Sequence, residues 1–307
     1  MTDAFPTGGP FSNLTAVLNA PKTLVSQTKT LGLLPDVFQF SQNSLQDYVD
    51  CKRRFQLRYA QGRRWPAAPT EPLTVHEERL EQGAEFHLLV QRHLMGLTVH
   101  PSSLEGDHLA LWWDNFIRYP IPDLPQTEQL PEVQLSTPIG SQRLLARFDL
   151  LAIEPGERIV IADWKTTHSR PSRQDLNERL QTRVYLYTLV EAGEHLFGGP
   201  IQAEQVSLTY WFAEAPQSPI TFDYDSLQHA FNKDYLADLI AEIMAQPAGL
   251  DEVWPLTSAL HQCKYCVYRS LCNRGEKAGR IEDADASVTD FNFDFDFDLD
   301  TIEAIAF

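Results

Sequence analysis

Three charged side chains in residues 143–167 have the types and the spacing of a metal-assisted hydrolytic site. The segment reads RLLARFDLLAIEPGERIVIADWKTT, two strand-like runs on either side of a Pro-Gly turn. Asp149 lies on the first run, whereas Asp163 and Lys165 lie two residues apart on the second and share one face of it. Neighbouring carboxylates bind hard divalent cations, and a lysine beside them stabilises developing negative charge.

The length of the hairpin loop decides whether Asp149 joins the other two residues. A three-residue loop at 155–157 pairs Glu154 with Arg158 and therefore places Asp149 opposite Asp163. Facing Cβ atoms then lie about 4.5–5.5 Å apart, close enough for the carboxylates to share one cation. A two-residue loop would instead split the carboxylates between the two faces.

The alternative for this hairpin is a surface strand pair whose charged face is solvated. Residues 159–162 are an unbroken apolar run, which favours burial of the second strand on both faces. A buried aspartate needs a partner or a metal. The hairpin by itself leaves the metal site and the solvated surface both open.

Three of the four cysteines fall within ten residues, at positions 263, 266 and 272, and Cys51 is the one remaining thiolate. The Pro-rich N-terminus lacks a basic-then-apolar signal peptide, and no run approaches the roughly 18 apolar residues of a membrane span. We therefore expect a cytoplasmic protein, in which such a cysteine cluster binds metal rather than forming disulfides.

The net charge of −17 argues at first against a nucleic-acid partner, but the acidic excess is concentrated in one segment. Residues 281–307 hold nine acidic residues and no lysine or arginine, and the rest of the chain carries −8. Residues 51–64 hold six basic residues and no acid, which predicts a local phosphate-binding face. Aromatic side chains in or beside that stretch are candidates for stacking on unpaired bases, namely Tyr48, Tyr59 and Trp65.

The order of predicted elements is typical of a mixed α/β domain with a small mixed sheet flanked by helices. We expect a loosely ordered lead-in at 1–37, one domain at 38–280, and a disordered, Phe/Asp-rich interaction tail at 281–307. The predicted helices span 41–62, 75–95, 107–119, 173–195 and 226–244, and the predicted strands outside the hairpin span 132–136 and 206–212.

Four short motifs occur in an order that resembles the RecB-like branch of the PD-(D/E)XK nucleases. They are Gly83-x3-His87, Arg147-Phe-Asp149, Asp163-Trp-Lys165 and Gln181-x3-Tyr185. The resemblance covers about residues 40–275 and implies a restriction-endonuclease-like core. Two positions depart from the family pattern: Lys52 follows Cys51 where proline is common, which leaves a local helix break in doubt, and Asp163 stands where glutamate is more common.

The resemblance implies a deoxyribonuclease that uses Mg²⁺ or Mn²⁺, and a histidine among oxygen ligands favours Mn²⁺. The implied metal ligands are His87, Asp149, Asp163 and the backbone carbonyl of Trp164. Lys165 would orient or deprotonate the attacking water, and Gln181 and Tyr185 would position the water or the substrate strand. Glu132 would add a carboxylate outside the inner ligand shell.

One cysteine before this core and three after it resemble the iron–sulfur subset of the family, which includes the AddB nuclease domain and CRISPR-associated exonucleases. Structural zinc sites more often pair two C-x2-C knuckles, whereas a ligand over two hundred residues from a C-x2-C-x5-C cluster is similar to that subset. The resemblance implies a structural 4Fe–4S cluster that staples the fold, and its ligands would be Cys51, Cys263, Cys266 and Cys272.

The expected function is an exonuclease on single-stranded DNA or DNA ends in repair or recombination. The alternatives are a nuclease that processes CRISPR spacers and a non-catalytic DNA-binding subunit of a larger complex. No Gly-x4-Gly-Lys-Ser/Thr loop occurs, so a helicase partner would be a separate protein. The acidic tail is either an external interaction segment or an autoinhibitor that covers the basic stretch at 51–64.

Overall fold

A mixed sheet forms the centre of the computed structural model of the protein. The structure describes residues 34–35, 38–63, 71–99, 107–167, 170–249, 252–264 and 266–275, with backbone only at 71–80 and 107. The predicted tail at 281–307 and nearly all of the predicted lead-in therefore lie outside the described residues. All structural statements below concern the described ranges.

Six strands make up this sheet within those ranges. Their bounds are β1 Phe40–Ser41, β2 Glu128–Ile139, β3 Gln142–Glu154, β4 Arg158–Lys165, β5 Val206–Phe212 and β6 Ile220–Asp223. Strand β3 pairs antiparallel with β2 along its length, and on its other side it pairs parallel with β1 and then antiparallel with β4. Strand β4 continues parallel to β5, which pairs antiparallel with β6. The predicted mixed α/β sheet flanked by helices is confirmed.

Helices pack on both faces of the sheet. They are α1 Gln42–Asp50, α2 Lys52–Phe55, α3 Glu71–Leu94, α4 Asp107–Arg118, α5 Arg173–Glu178, α6 Leu180–Ala192, α7 Glu194–Phe197, α8 Ser226–Met244 and α9 Leu260–Lys264. Helices α1, α2, α6 and α8 contribute to one apolar cluster, and α3 and α4 contribute to the other. Strand β4 supplies side chains to both clusters in alternation, with Ile161 in the first and Trp164 in the second, so it is buried on both faces as its apolar run predicts.

The loop of the central hairpin has the three residues that the sequence allowed. Glu154 pairs with Arg158 and Leu150 with Ala162, so the predicted register is confirmed over those pairs. Gly156 has φ of +76°, a left-handed conformation that glycine adopts without a steric penalty.

The predicted helix at 41–62 is interrupted at Cys51. Ser41 caps α1 by accepting a hydrogen bond from the N–H of Ser44. Cys51 has extended backbone angles, after which α2 and one π-helical segment follow. The helix breaks here although Lys52 replaces the expected proline, and the N–H of Arg53 donates to the carbonyl of Pro255 instead. A tertiary contact therefore replaces the local sequence signal.

Two further elements differ from the sequence predictions. The predicted helix at 173–195 is divided, because Arg179 is extended between α5 and α6. Strand β6 is absent from the sequence predictions, since its four residues are too short to show a period. None of the described helices combines the length and the apolar character that a bilayer-spanning helix needs.

Candidate active site

The central hairpin opens into a fork at the two aspartates. Pairing between β3 and β4 ends at Leu150 and Ala162, and the next residues toward the fork are Asp149 and Asp163. Beyond this point β3 runs beside β1, whereas β4 stays beside β5 as far as Lys165. The N–H of Trp164 donates to Asp149 Oδ2 at 2.8 Å, so the Asp149 side chain bridges the opening. At the fork, β3 and β4 are therefore no longer paired with each other.

Asp163, Lys165 and Gln181 form a buried polar triad on the α6 side of the fork. Lys165 Nζ lies 3.0 Å from Asp163 Oδ2 and donates to Gln181 Oε1 at 2.9 Å. Gln181 Nε2 donates to Asp163 Oδ1 at 2.8 Å. All three residues are less than 9% exposed. Gln181 thus holds hydrogen bonds to both charged groups, and its predicted contact with water or substrate stays a prediction.

The carboxylate of Asp163 is poorly stabilised in its charged form. Burial raises its pKa to about 6, an effect that the Lys165 charge opposes and the Asp149 charge reinforces. Asp163 Oδ2 is buried and has no partner with hydrogen-bond geometry among the described residues. Lys165 Nζ lies at ion-pair distance from this oxygen. An oxygen in this condition has capacity for a cation.

His87 reaches Asp149 from the other helical layer. Its Nδ1 lies 3.4 Å from Asp149 Oδ2. Burial lowers the pKa of His87, but the charge and hydrogen bond of Asp149, together with the charges of Asp163 and Glu132, outweigh it and the net pKa is raised. Burial likewise raises the pKa of Asp149. The charge of His87, its hydrogen bond to Asp149, and the hydrogen bond from the Trp164 N–H to Asp149 lower this pKa, and the net value is below 3.8. The two groups therefore favour each other's charged forms when no metal is bound.

Two neighbours in α3 set the position of His87. Phe86 is fully buried against Trp211, with the rings stacked at 6.1 Å, and burying a side chain of this kind contributes roughly 1.5–3 kcal/mol. Gly83 lies one turn earlier, where a Cβ atom would be 2.9 Å from Thr166 Oγ1. The missing side chain lets α3 approach the end of β4.

Glu132 lies beside His87 and Asp149. Ligand atoms of His87, Glu132 and Asp149 all lie within 4.8 Å of one another, and Asp163 does not join this group of three. Ile139 pairs with Gln142 across a two-residue Gly-Ser loop, and continuing that register places Glu132 opposite Asp149. A Gly-Ser pair between two strands is a recognised hairpin signal, so the sequence contained the information.

Tyr185 lies inside the protein, behind Gln181. It is 2% exposed, and its ring centroid is 5.0 Å from that of Phe148. Burial raises its pKa well above 10.0, and a hydrogen bond with Gln181 opposes this. A buried tyrosine at this position supports Gln181 from within the core.

Three of the six basic residues at 51–64 already pair with carboxylates of the protein, whereas Arg63 is exposed, so the phosphate-binding face there stays a prediction. Lys52 pairs with Glu242 at 2.6 Å, and Arg58 pairs with Asp47 at 3.1 Å. Arg54 is buried and pairs with both Asp47 and Asp50 at 2.8 and 2.6 Å. The neutralising carboxylates come from outside residues 51–64, so the composition of that segment overstates the positive charge that is available to bind phosphate. Tyr48 is 1% exposed and unavailable for base stacking, and Trp65 lies outside the described residues.

Arginines gather instead on the flank formed by α5, α6, β6 and α8. A groove of about 890 Å³ there is lined by Arg173 and Arg183 together with Phe222 and Phe231. The Arg173 guanidinium lies 4.5 Å from the Phe222 ring centroid, and that of Arg183 lies 5.2 Å from Phe231. Phe231 is 58% exposed at the rim. The groove thus combines cations with aromatic surface.

The segment that carries three cysteines returns to the helices around the fourth. Trp254 stacks on Phe55 with ring centroids 6.0 Å apart, and Tyr268 Oη donates to the carbonyl of Arg63 at 2.7 Å. These contacts bring the C-terminal part of the described chain to the break that Cys51 makes.

The four thiols lie in one neighbourhood without forming a tight group. Burial raises the pKa of Cys263, Cys266 and Cys272, and the Cys51 charge contributes to the rise at each. The resulting pKa of Cys266 is about 11. Among the described residues, no three of the sulfur atoms lie within 4.8 Å of one another.

Comparisons with known proteins give one family assignment. Residues 39–273 match the sequence model of the PD-(D/E)XK nuclease superfamily. No curated protein matches the chain. Among solved structures, SSO0001 is 17% identical over 76% of this chain and 85% of its own, with a TM-score of 0.35. A protein named "Putative exonuclease" from Eubacterium rectale is 10% identical over 67% of this chain and 80% of its own, with a TM-score of 0.41.

Proposed function

Because the chain belongs to the PD-(D/E)XK nuclease superfamily, we propose that it is a metal-dependent nuclease that hydrolyses phosphodiester bonds in DNA. The observation that carries this proposal is the buried triad of Asp163, Lys165 and Gln181 beside Asp149 at the fork. A buried charged network contributes little to stability, which favours a catalytic role for this one. Asp149, Asp163 and Lys165 are all present, and this disfavours the non-catalytic alternative.

The donor set at the fork fits a divalent cation. Asp163 Oδ2 is buried without a hydrogen-bond partner in the described chain, and the Asp149 carboxylate faces the same opening. Carboxylate oxygens with one imidazole nitrogen are ligands that Mn²⁺ accepts more readily than Mg²⁺ does. The residues we propose as ligands are His87, Asp149, Asp163 and the backbone carbonyl of Trp164.

The side chains at the fork divide the chemical work. A bound divalent cation would supply Lewis-acid stabilisation of the phosphoryl charge and a lower pKa for water. Lys165 Nζ donates one hydrogen bond, to Gln181, and lies at ion-pair distance from Asp163, so its ammonium group has donor capacity for an attacking water or a developing oxyanion. Gln181 holds the lysine and the aspartate in fixed register, which removes the entropy cost of orienting them.

We propose that the arginine groove binds the nucleic-acid strand. The guanidinium groups of Arg173 and Arg183 are oriented by aromatic rings, and exposed Phe231 offers a face for a base. Phosphates would contact the arginines, and bases would stack on the ring. The phosphate-binding face at residues 51–64 stays a separate prediction.

We propose a structural 4Fe–4S cluster at Cys51, Cys263, Cys266 and Cys272. Thiolates of a single zinc ion, each about 2.3 Å from the metal, lie about 3.8 Å apart. The sulfurs here form no group of three within 4.8 Å. A four-iron cluster is larger than one ion and holds its thiolates further apart. The choice of iron–sulfur over zinc rests on the resemblance of the cysteine spacing to the iron–sulfur subset of the family. Thiols whose pKa is raised by burial bind metal with loss of their protons.

The cellular role that we propose is the trimming of DNA single strands or ends during repair or recombination, with strands supplied by a separate helicase. It rests on the resemblance of the four motifs to RecB-like nucleases.

End-labelled DNA tests the activity directly. Purified protein is incubated anaerobically with single- and double-stranded DNA, and with RNA of the same sequence, in Mn²⁺, Mg²⁺ or EDTA. We expect single-stranded DNA to be degraded in Mn²⁺ and to remain intact in EDTA. Absence of cleavage of every substrate in both metals would overturn the proposal.

A further inference from the structure

Glu132 lies in a row of three carboxylates that crosses the sheet. On β2 and β3, Pro131 pairs with Leu150 and Val133 pairs with Phe148, so Glu132 occupies the position across from Asp149. On its other side, the hairpin register places Asp149 across from Asp163 at the fork. Neighbouring strands lie about 4.8 Å apart, so Glu132 is one strand from Asp149, whereas β3 and β4 are no longer paired at Asp149 and Asp163.

The backbone at Glu132 is adapted to this position. Its φ is +54°, in the left-handed region that a residue with a side chain rarely adopts. The pair Glu132–Asp149 is also missing from an otherwise continuous ladder from Glu128 to Ile139. A local departure of this kind re-aims one side chain without ending the strand. Only 14% of the Glu132 side chain is exposed.

Among the described residues, the arginine that contacts Glu132 is Arg147, and most of its side chain is exposed to solvent. Arg147 Nε lies 2.8 Å from Glu132 Oε2, but 60% of the Arg147 side chain is exposed. An ion pair this open is screened and contributes little. The Asp149 charge acts on Glu132 from the site side and is repulsive. In the metal-free cluster, the His87 charge joins Arg147 in opposing this repulsion, and a divalent cation would take over that role.

The three donor atoms have the spacing of ligands to one ion. An imidazole nitrogen of His87 and one carboxylate oxygen each from Glu132 and Asp149 lie within 4.8 Å of one another. Ligands about 2.2 Å from a common ion are separated by at most about 4.4 Å, so small side-chain adjustments suffice. Each donor comes from a different element, namely α3, β2 and β3, so the ion would join the helical layer to the sheet.

We propose that Glu132 is a direct ligand of the divalent cation, together with His87 and Asp149. The assignment rests on the proposed metal-dependent function and changes the ligand set implied by the family resemblance, in which Glu132 has no inner-shell role. Glu132 would be a third carboxylate beside those of Asp149 and Asp163, and its charge strengthens the site's hold on Mn²⁺. Arg147 then competes with the metal for Glu132.

Mn²⁺ binding, measured by the loss of the free-ion EPR signal, tests this without reference to cleavage. Glu132→Gln should weaken Mn²⁺ binding by more than about a hundredfold, beyond the roughly 10–100-fold loss that removal of an outer-shell partner causes. Arg147→Gln removes the competing cation and should leave Mn²⁺ binding unchanged or tighter. Glu128→Gln, an exposed position on the same strand, is the matched control and should bind like the wild type.

The outcomes separate the ligand role from the ion pair and from the proposed function. Unchanged binding in Glu132→Gln, or equal weakening in Glu132→Gln and Arg147→Gln, would overturn the proposal, because Glu132 would then serve only its pair with Arg147. If the wild type cleaves DNA while Glu132→Gln keeps full affinity, the nuclease function stands and the ligand assignment fails. If binding depends on Glu132 but no substrate is cleaved, the ligand assignment stands and the nuclease function fails.

Discussion

Replacing Asp163 with asparagine should stabilise the metal-free protein. Burial raises the pKa of this carboxyl from 3.8 to about 6, so ionising it costs more in the folded chain than in the unfolded chain. At about 1.36 kcal/mol per pKa unit, the folded state loses about 3 kcal/mol once the pH exceeds the folded pKa. Asparagine has nearly the same shape and carries no charge, and its Oδ1 still accepts from Gln181.

The gain should depend on pH in a defined direction. Because the folded pKa is the higher one, the penalty is fully present above about pH 6 and shrinks as the pH falls toward the unfolded value. Asp163→Asn should therefore melt roughly 6–12 °C above the wild type at pH 8 in EDTA, with a gain about a third as large at pH 4.5. Thermal melts of both proteins at the two pH values measure this, with exposed Asp234→Asn as the control. A variant that melts at or below the wild type at pH 8 would refute the reasoning, because Asp163 would then stabilise the fold through Lys165.

Four further outcomes follow from the site and its surroundings. Mn²⁺ affinity should rise with pH up to about 6 and then rise less steeply, since Asp163 must lose its proton to serve as a ligand; equal affinity at pH 5 and pH 8 would contradict this. Arg173→Glu should weaken single-stranded DNA binding at least tenfold and reduce its salt dependence, whereas Arg158→Glu at the hairpin tip should not, and equal effects would remove the groove assignment. Anaerobically purified protein should be brown with about four irons per chain, and Cys51→Ser should lose both colour and thermal stability; colourless protein with stoichiometric zinc would rule out the cluster. Truncation after Gly279 should leave DNA binding unchanged if the acidic tail serves an external partner, and tighter, salt-sensitive binding would show that it covers the DNA site.

The central hairpin was predictable because its geometry is local. A three-residue loop fixes every facing pair, and the apolar run at 159–162 fixes the burial of β4, so position follows from counting residues. The Gly140-Ser141 loop gives the same kind of information for β2, and applying it would have placed Glu132 opposite Asp149 in advance.

Features that depend on distant partners were not predictable from windows of sequence. The charges of Lys52, Arg54 and Arg58 are neutralised by Glu242, Asp47 and Asp50, which no count over residues 51–64 includes. The break at Cys51 likewise depends on a contact with Pro255, far along the chain. Local composition reports the charges present but not whether the fold has already paired them.

Single-turnover cleavage of end-labelled single-stranded DNA by Lys165→Ala, with Mn²⁺ affinity measured on the same sample, tests the central claim most directly. Lys165 lies 3.0 Å from Asp163 but is not a proposed ligand, so the account predicts that cleavage falls at least a hundredfold while Mn²⁺ binding persists. Cleavage at the wild-type rate with normal metal binding would contradict the account, because the buried lysine would then have no part in the chemistry.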